Sequence, residues 1–483
     1  MREFTRGVLE RVARAGAGYA DVRVVQSREE TVAVKNGKVD TVATGRDRGF
    51  GVRVLADGAW GFAASATITP EEGERVADLA VRIARASARV KEKDVTLSPL
   101  KPVEGRWRAP ARKDPFEVKV EDKLDLLLAA EKRMRIGPDI QVSSAGLQAY
   151  QECKVFASSE GSYIEQELTE TGGVIEAVAA RSGEVQNRSY PAQFGGDFRL
   201  AGHEWLEQLD LAGQAERVAK EAVALLDAEQ CPSGHRDLIL EGSQLALQIH
   251  ESCGHPIELD RVLGTEAGLV GKSFLTPDLL KSRFRYGSEK VTITADATLG
   301  GGALGSFGYD DEGVPAQRTT IVDKGVFTGY LTSRETAPEI GQVSNGTMRA
   351  LSWNRIPLIR MTNINLEPGD WGLDELIRDT KDGIYMDLNK SYSIDDRRFN
   401  FQFGTEVAWE IKDGALGKML KNPTYTGLTP EFWRSCDAVA GGPEWRVWGI
   451  PNCGKGEPMQ GIRVGHGAAP ARFRRVRVGV GKW

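Results

Sequence analysis

Two histidines five residues apart, His250 and His255, bracket a glutamate in the segment His250-Glu251-Ser252-Cys253-Gly254-His255. The chain has only five histidines, so the pairing is not a product of abundance. On a regular α-helix, at about 100° per residue, side chains at i and i+5 point roughly 140° apart, against about 40° for i and i+4. Both imidazoles can face one point only where the helix opens, through a π-bulge or an unwound last turn. Gly254 and Pro256 sit where such an opening needs them. Glycine permits the unusual backbone, and proline stops the helix from continuing normally. The chemistry on offer is hydrolytic: neutral imidazoles bind Zn²⁺ through a ring nitrogen, and the neighbouring carboxylate of Glu251 can take a proton from water. The competing reading is a pair of core or surface histidines at a helix end.

Two imidazoles do not complete a site. His203, His235, His466, a cysteine or a carboxylate could supply the third donor. Cys453 is the best placed, in Pro451-Asn452-Cys453-Gly454-Lys455-Gly456, a glycine-rich turn through which a thiolate can approach closely. Cys253 competes, but it projects from the same turn as the histidines. Cys153, Cys231 and Cys436 read as small buried hydrophobes. A cysteine nucleophile, Cys253 with His255 or Cys453 with His466, would leave Glu251 without a role. Two phosphate motifs fail their context. Gly271-Lys272-Ser273 resembles the end of a P-loop, but Glu266 stands where its first glycine belongs. Gly300, Gly302 and Gly305 match a dinucleotide fingerprint but lead into a loop, residues 307–313, and not into a helix.

Strand signals dominate around this motif. Asn36-Gly37 and Asp57-Gly58, each between valine-rich alternating runs, predict hairpins, as do Asp323-Lys324-Gly325 and Lys412-Asp413-Gly414. Helical spacing is expected over residues 3–15, 71–90, 116–136 and 203–228, with a proline-rich linker at 91–115. The predicted class is α+β: antiparallel strands and helices in the N-terminal part, and a mostly β C-terminal metal-binding part. The expected divisions are residues 1–98, 99–230 and 231–483. Seven of the ten tryptophans fall in the last of these, chiefly as core. The net charge of −5 carries no basic excess, which argues against a nucleic-acid partner. No run of 18 apolar residues occurs, and the charged N-terminus does not read as a signal peptide. Five sparse cysteines suit a reducing cytosol, so a cytoplasmic location is expected.

The segment HESCGHPIELD (250–260) resembles the metal motif of the TldD/PmbA family of metallopeptidases. GALGSFGYDDEGVPAQRTTIVDKGVFTGYLTSRETA (302–337), PLIRMTNINLEPG (357–369), PNCGKGEPMQGIRVGHGAAPARF (451–473) and residues 19–54 agree with it in family order. Because the histidine motif is present, the chain resembles the catalytic TldD type and not the metal-less partner type. The resemblance implies one Zn²⁺ per chain on His250, His255 and Cys453, with Glu251 as general base. It also implies a homodimer, or a heterodimer with a metal-less relative, whose internal cavity admits unfolded or small peptides. Glu258 and Asp260 are read as residues that orient the histidines, or as a solvated helix end. Ser252-Cys253 and Pro256 depart from the family pattern, which bears on cleavage preference. Two other readings stand beside this one: a non-catalytic metal-binding partner subunit, and a metal-dependent amidase of small molecules.

Overall fold

The computed structural model describes residues 1–192, 195–266, 268 and 271–479. One eight-stranded sheet occupies the first two hundred residues. Its main path runs Ala59–Ser65, Lys38–Ala56, Tyr19–Lys35, Ile140–Ser158, Tyr163–Arg181 and Glu104–Arg108. Asn36 and Gly37 turn the first hairpin with φ of 48° and 76°, and Asp57 and Gly58 the second with 52° and 74°. Both turns have the primed geometry that matches strand twist. The expected linker is therefore not structureless: Glu104–Arg108 lies within it and pairs in parallel with Tyr163–Arg181.

Helices cover this sheet at two places. Arg2–Arg14 and Pro70–Ser87 bury Val8, Val12, Val76 and Ala80 against Val22 and Val52. Val120–Met134 and Leu211–Asp227 bury Leu127, Val218 and Ala222 against Leu147 and Ile175. Each such large aliphatic side chain contributes roughly 1.5–3 kcal/mol on leaving water. The single helix expected over 203–228 is two, His203–Gln208 and Leu211–Asp227. Asp210 breaks it with a left-handed φ of 48°, and its carboxylate accepts from the Gly213 amide at 3.1 Å to start the second helix.

The C-terminal half is built on a closed ring of strands. Asp382–Ile394 pairs with Gly234–Leu240, Gly234–Leu240 with Ala471–Val478, and Ala471–Val478 with Thr424–Leu428. Thr424–Leu428 then pairs with Asn400–Lys412, which returns to Asp382–Ile394. Closure removes the exposed edges that a small sheet would otherwise present. Phe401, Phe403, Tyr425, Phe432 and Phe473 fill the core, with the Phe432 and Phe473 rings stacked at 4.0 Å. Trp433 is fully buried among them, as expected of a core tryptophan.

A buried acidic loop joins the halves. Asp311 pairs with Lys154 at 2.9 Å and Arg23 at 3.6 Å, and Glu312 pairs with Arg53 at 3.2 Å. Among the described residues no helix is long and apolar enough to cross a membrane.

Candidate metal centre

The barrel strand Gly234–Leu240 feeds the helix Gly242–Ile249, and the histidine segment follows directly. Glu241 starts that helix by accepting from the Ser243 amide at 2.6 Å. Residues His250–Gly254 form a π-turn, and the His255 amide bonds the His250 carbonyl. A turn closed from i to i+5 stacks residues five apart on one side, which a regular α-helix cannot do. The short 3₁₀ turn His255–Ile257, carrying Pro256, ends it. The side chain of Ser252 donates to the Gln248 carbonyl at 2.5 Å and accepts from Trp433 Nε1 at 2.9 Å, while Tyr286 donates to the Ser252 carbonyl at 3.0 Å. Gly254 is dictated by space: a Cβ there would lie 2.3 Å from Met361 Sδ.

Cys453 arrives from the other end of the chain. It lies within the strand Arg446–Lys455, not in the turn expected from the glycines, and it pairs across to Ile462 just after a bulge. Its Sγ stands 3.8 Å from His255 Nε2. Ligand atoms of His250, His255 and Cys453 all lie within 4.8 Å of one another, and all three side chains are buried. A tetrahedral ion with bonds of about 2.0–2.3 Å holds its ligand atoms roughly 3.3–3.6 Å apart, so this set needs little movement to hold one. Two imidazoles and a thiolate also match the N and S donors that zinc favours.

Each imidazole is braced from behind. His250 Nδ1 is 2.8 Å from His466 Nε2, and His466 Nδ1 is 3.2 Å from the Ile364 carbonyl. That carbonyl only accepts, so His466 donates from Nδ1 and accepts from His250 at Nε2. His250 therefore carries its proton on Nδ1 and presents Nε2 bare. His255 does the same: its Nδ1 donates to Glu258 Oε2 at 3.2 Å. Burial lowers the pKa of both His250 and His255, which favours the neutral, ligating form.

Burial alone would push Glu258 up, but Lys455 at 3.5 Å and Arg261 at 2.9 Å hold it well below the usual carboxylate range. Burial would likewise raise the Cys453 thiol, yet His255 and Arg360 outweigh it and hold the thiol below its ordinary value. Arg360 also donates to the Cys453 carbonyl, and to the Gln460 carbonyl at 2.8 Å. Glu251, 4% exposed, accepts from Arg398 Nη1 at 2.6 Å.

The structure thus brings together His250, His255 and Cys453, with Glu251 next to His250 in the same turn. Glu258 touches a histidine. Asp260 does not: it binds Lys455 at 2.7 Å and the Arg261 amide at 2.8 Å. His466 lies behind a ligating face, and His203 and His235 lie on other elements. Cys253 is buried in the core with its thiol pushed up to about 12 by burial. Cys153, read as buried, is exposed. Arg398, Arg261 and Lys455 carried no signal in the sequence, because their partners lie on the far side of a turn or of the whole domain.

Family models cover nearly all of the chain. Residues 20–84 match PmbA/TldA metallopeptidase domain 1, 113–226 the central domain and 233–479 the C-terminal domain. The chain belongs to this family of metallopeptidases. Its relatives include a metalloprotease of Methanocaldococcus jannaschii, 33% identical over 96% of this chain and 97% of that protein. A zinc metalloprotease TldD homolog of Saccharolobus solfataricus is 24% identical over 98% of each. Among solved structures, TldE from Thermococcus kodakarensis shares the fold with a TM-score of 0.76 at 18% identity, over 99% of this chain and 100% of that one.

Proposed function

We propose that this chain is a zinc-dependent peptidase in which His250, His255 and Cys453 hold one ion and Glu251 is the general base. One observation carries the reading: three ligand atoms, from segments 198 residues apart, converge to within 4.8 Å. A bound ion there supplies Lewis acidity, acidifying a water and polarising a carbonyl. Glu251 takes the proton from the attacking water and returns it to the leaving amine. His466 and Glu258 keep the two imidazoles turned with Nε2 forward.

The substrate we propose is a small or unfolded peptide. A cavity of about 400 Å³, lined by Tyr150, Glu170, Pro451, Asn452 and Arg463 among others, adjoins the Cys453 strand and supports this. A cavity of about 720 Å³ elsewhere is lined by residues between Met1 and Glu167 and includes no residue of the metal centre. A working dimer, with a second copy or with a metal-less relative, belongs to the same proposal. All five cysteines are unpaired, which supports a reducing, cytoplasmic setting.

Metal analysis and hydrolysis of an unfolded polypeptide test the proposal together. Purified protein is expected to hold one zinc per chain and to lose hydrolysis on chelation. Glu251→Gln is expected to keep the metal and lose hydrolysis. Cleavage at the wild-type rate by Glu251→Gln would show that the base is misassigned. The mass of the active species in solution reads the dimer.

A further inference from the structure

Arg398 reaches Glu251 across 147 residues of sequence, from the hairpin that joins two barrel strands, Asp382–Ile394 and Asn400–Lys412. Its Nη1 donates to Glu251 Oε2 at 2.6 Å, and the two residues are 7% and 4% exposed. An exposed ion pair of this kind means little. A buried one costs desolvation on both sides and persists only where its geometry is well fixed.

Here the geometry is fixed at the expense of backbone strain. Arg398 has a φ of 63°, in the left-handed region that a long side chain rarely enters. Asp395 clamps the turn. Its carboxylate accepts from the amides of Arg397 at 2.8 Å, Phe399 at 3.1 Å and Asn400 at 2.7 Å, and its carbonyl accepts from the Arg398 amide at 2.8 Å. Thr429 Oγ1 donates to the Arg398 carbonyl at 2.8 Å, which ties the turn to the next helix. The net effect of these bonds is to aim one guanidinium at one carboxylate oxygen.

A carboxylate that serves as a base must present one oxygen to the incoming proton in a fixed direction. With Oε2 engaged by Arg398, Oε1 is the oxygen left for that work. We propose that Arg398 is a positioning residue for Glu251: it fixes the carboxylate so that Oε1 faces the space in front of His250, His255 and Cys453. The proposal rests on the reading of Glu251 as general base.

Two measurements test it. In the zinc-loaded protein, Arg398→Met is expected to keep one zinc per chain and a nearly unchanged KM while kcat falls about 100-fold, the scale of a small misplacement. Arg398→Lys, which keeps the charge and loses the planar fork, is expected to lose less, about 10-fold. Millimolar ethylguanidinium is expected to restore part of the kcat of Arg398→Met. In the metal-free protein, where no reaction is involved, Arg398→Met is expected to lower the thermal midpoint. In a Glu251→Gln background the same substitution is expected to lower it by less than half as much. Wild-type kcat in Arg398→Met, or a kcat loss no greater than the loss of bound zinc, would overturn the proposal. So would an equal midpoint shift in both backgrounds. Wild-type hydrolysis by Glu251→Gln would instead overturn the base assignment, and the metal-free cycle would still report on the pairing.

Discussion

His466 stands directly behind His250, its Nε2 2.8 Å from His250 Nδ1 and its own Nδ1 3.2 Å from the Ile364 carbonyl. The orientation of a proposed ligand is thereby tied to a backbone atom of the strand Ile364–Leu366. Removing the middle of this relay frees His250 to rotate or to change tautomer. His466→Ala is expected to weaken zinc binding 10–100-fold, as outer partners of ligating histidines do. His466→Gln, which keeps an acceptor near Nδ1, is expected to lose less. Competition against a chromogenic chelator reads both.

Gly254→Ala tests the opened turn. Its methyl would meet Met361 Sδ at 2.3 Å, so either Met361 or the turn must move. The expected cost is about 1–3 kcal/mol of unfolding free energy, together with weaker zinc binding. Met361→Ala in the same chain makes room and is expected to restore zinc affinity in part. Denaturant melts and chelator competition on the single and double variants check this.

Glu241 gives stability a pH dependence of predictable sign. Burial first, then the nearby Asp387, raises its pKa from 4.5 to about 7, against the opposing pulls of Ser243 and Arg446. A carboxyl raised in the fold favours folding fully below its unfolded pKa, and that contribution is lost as pH climbs through the folded value. Glu241→Gln has no proton to lose. Relative to the native chain, its stability is expected to rise between pH 5 and pH 8, by on the order of 2 kcal/mol. Urea melts at the two pH values measure the difference, and no change between them would contradict the assignment.

Asp311 tests how the halves are joined. It is the shared partner of Lys154 at 2.9 Å and Arg23 at 3.6 Å, and it accepts from the Ala350 amide at 2.7 Å, all in a buried setting. Asp311→Ala leaves the buried Arg23 without its carboxylate and Lys154 with Glu152 alone at 3.1 Å, so a loss of about 3 kcal/mol is expected. Limited proteolysis is expected to show faster cutting between the N-terminal sheet and the barrel.

Local pattern was enough for the turns and for the broken helix. Asn36-Gly37 and Asp57-Gly58 specify left-handed backbone by residue type, and the five-residue histidine spacing with Gly254 and Pro256 calls for an opened helix, which is realised as a π-turn. Asp210 was not legible as a helix break, because the apolar period continues across it. The strand setting of Cys453 was hidden by its glycines, which read as a turn until Gln460–Ala468 pairs with them. His466 was legible as a histidine of interest but not as a brace, since that role depends on Ile364, 102 residues away. Lys455 and Asp260 form one buried pair from segments 195 residues apart, and no local spacing records such a contact.

The ring of barrel strands includes Ala471–Val478, which lies between Gly234–Leu240 and Thr424–Leu428. The ring therefore shuts only when segments distant in sequence, such as Gly234 and Val478, come side by side, the kind of non-local pairing that slows folding. The metal centre shares that dependence, because His250 and His255 follow one of these strands and Cys453 precedes the other, so a loosened barrel scatters the three donors.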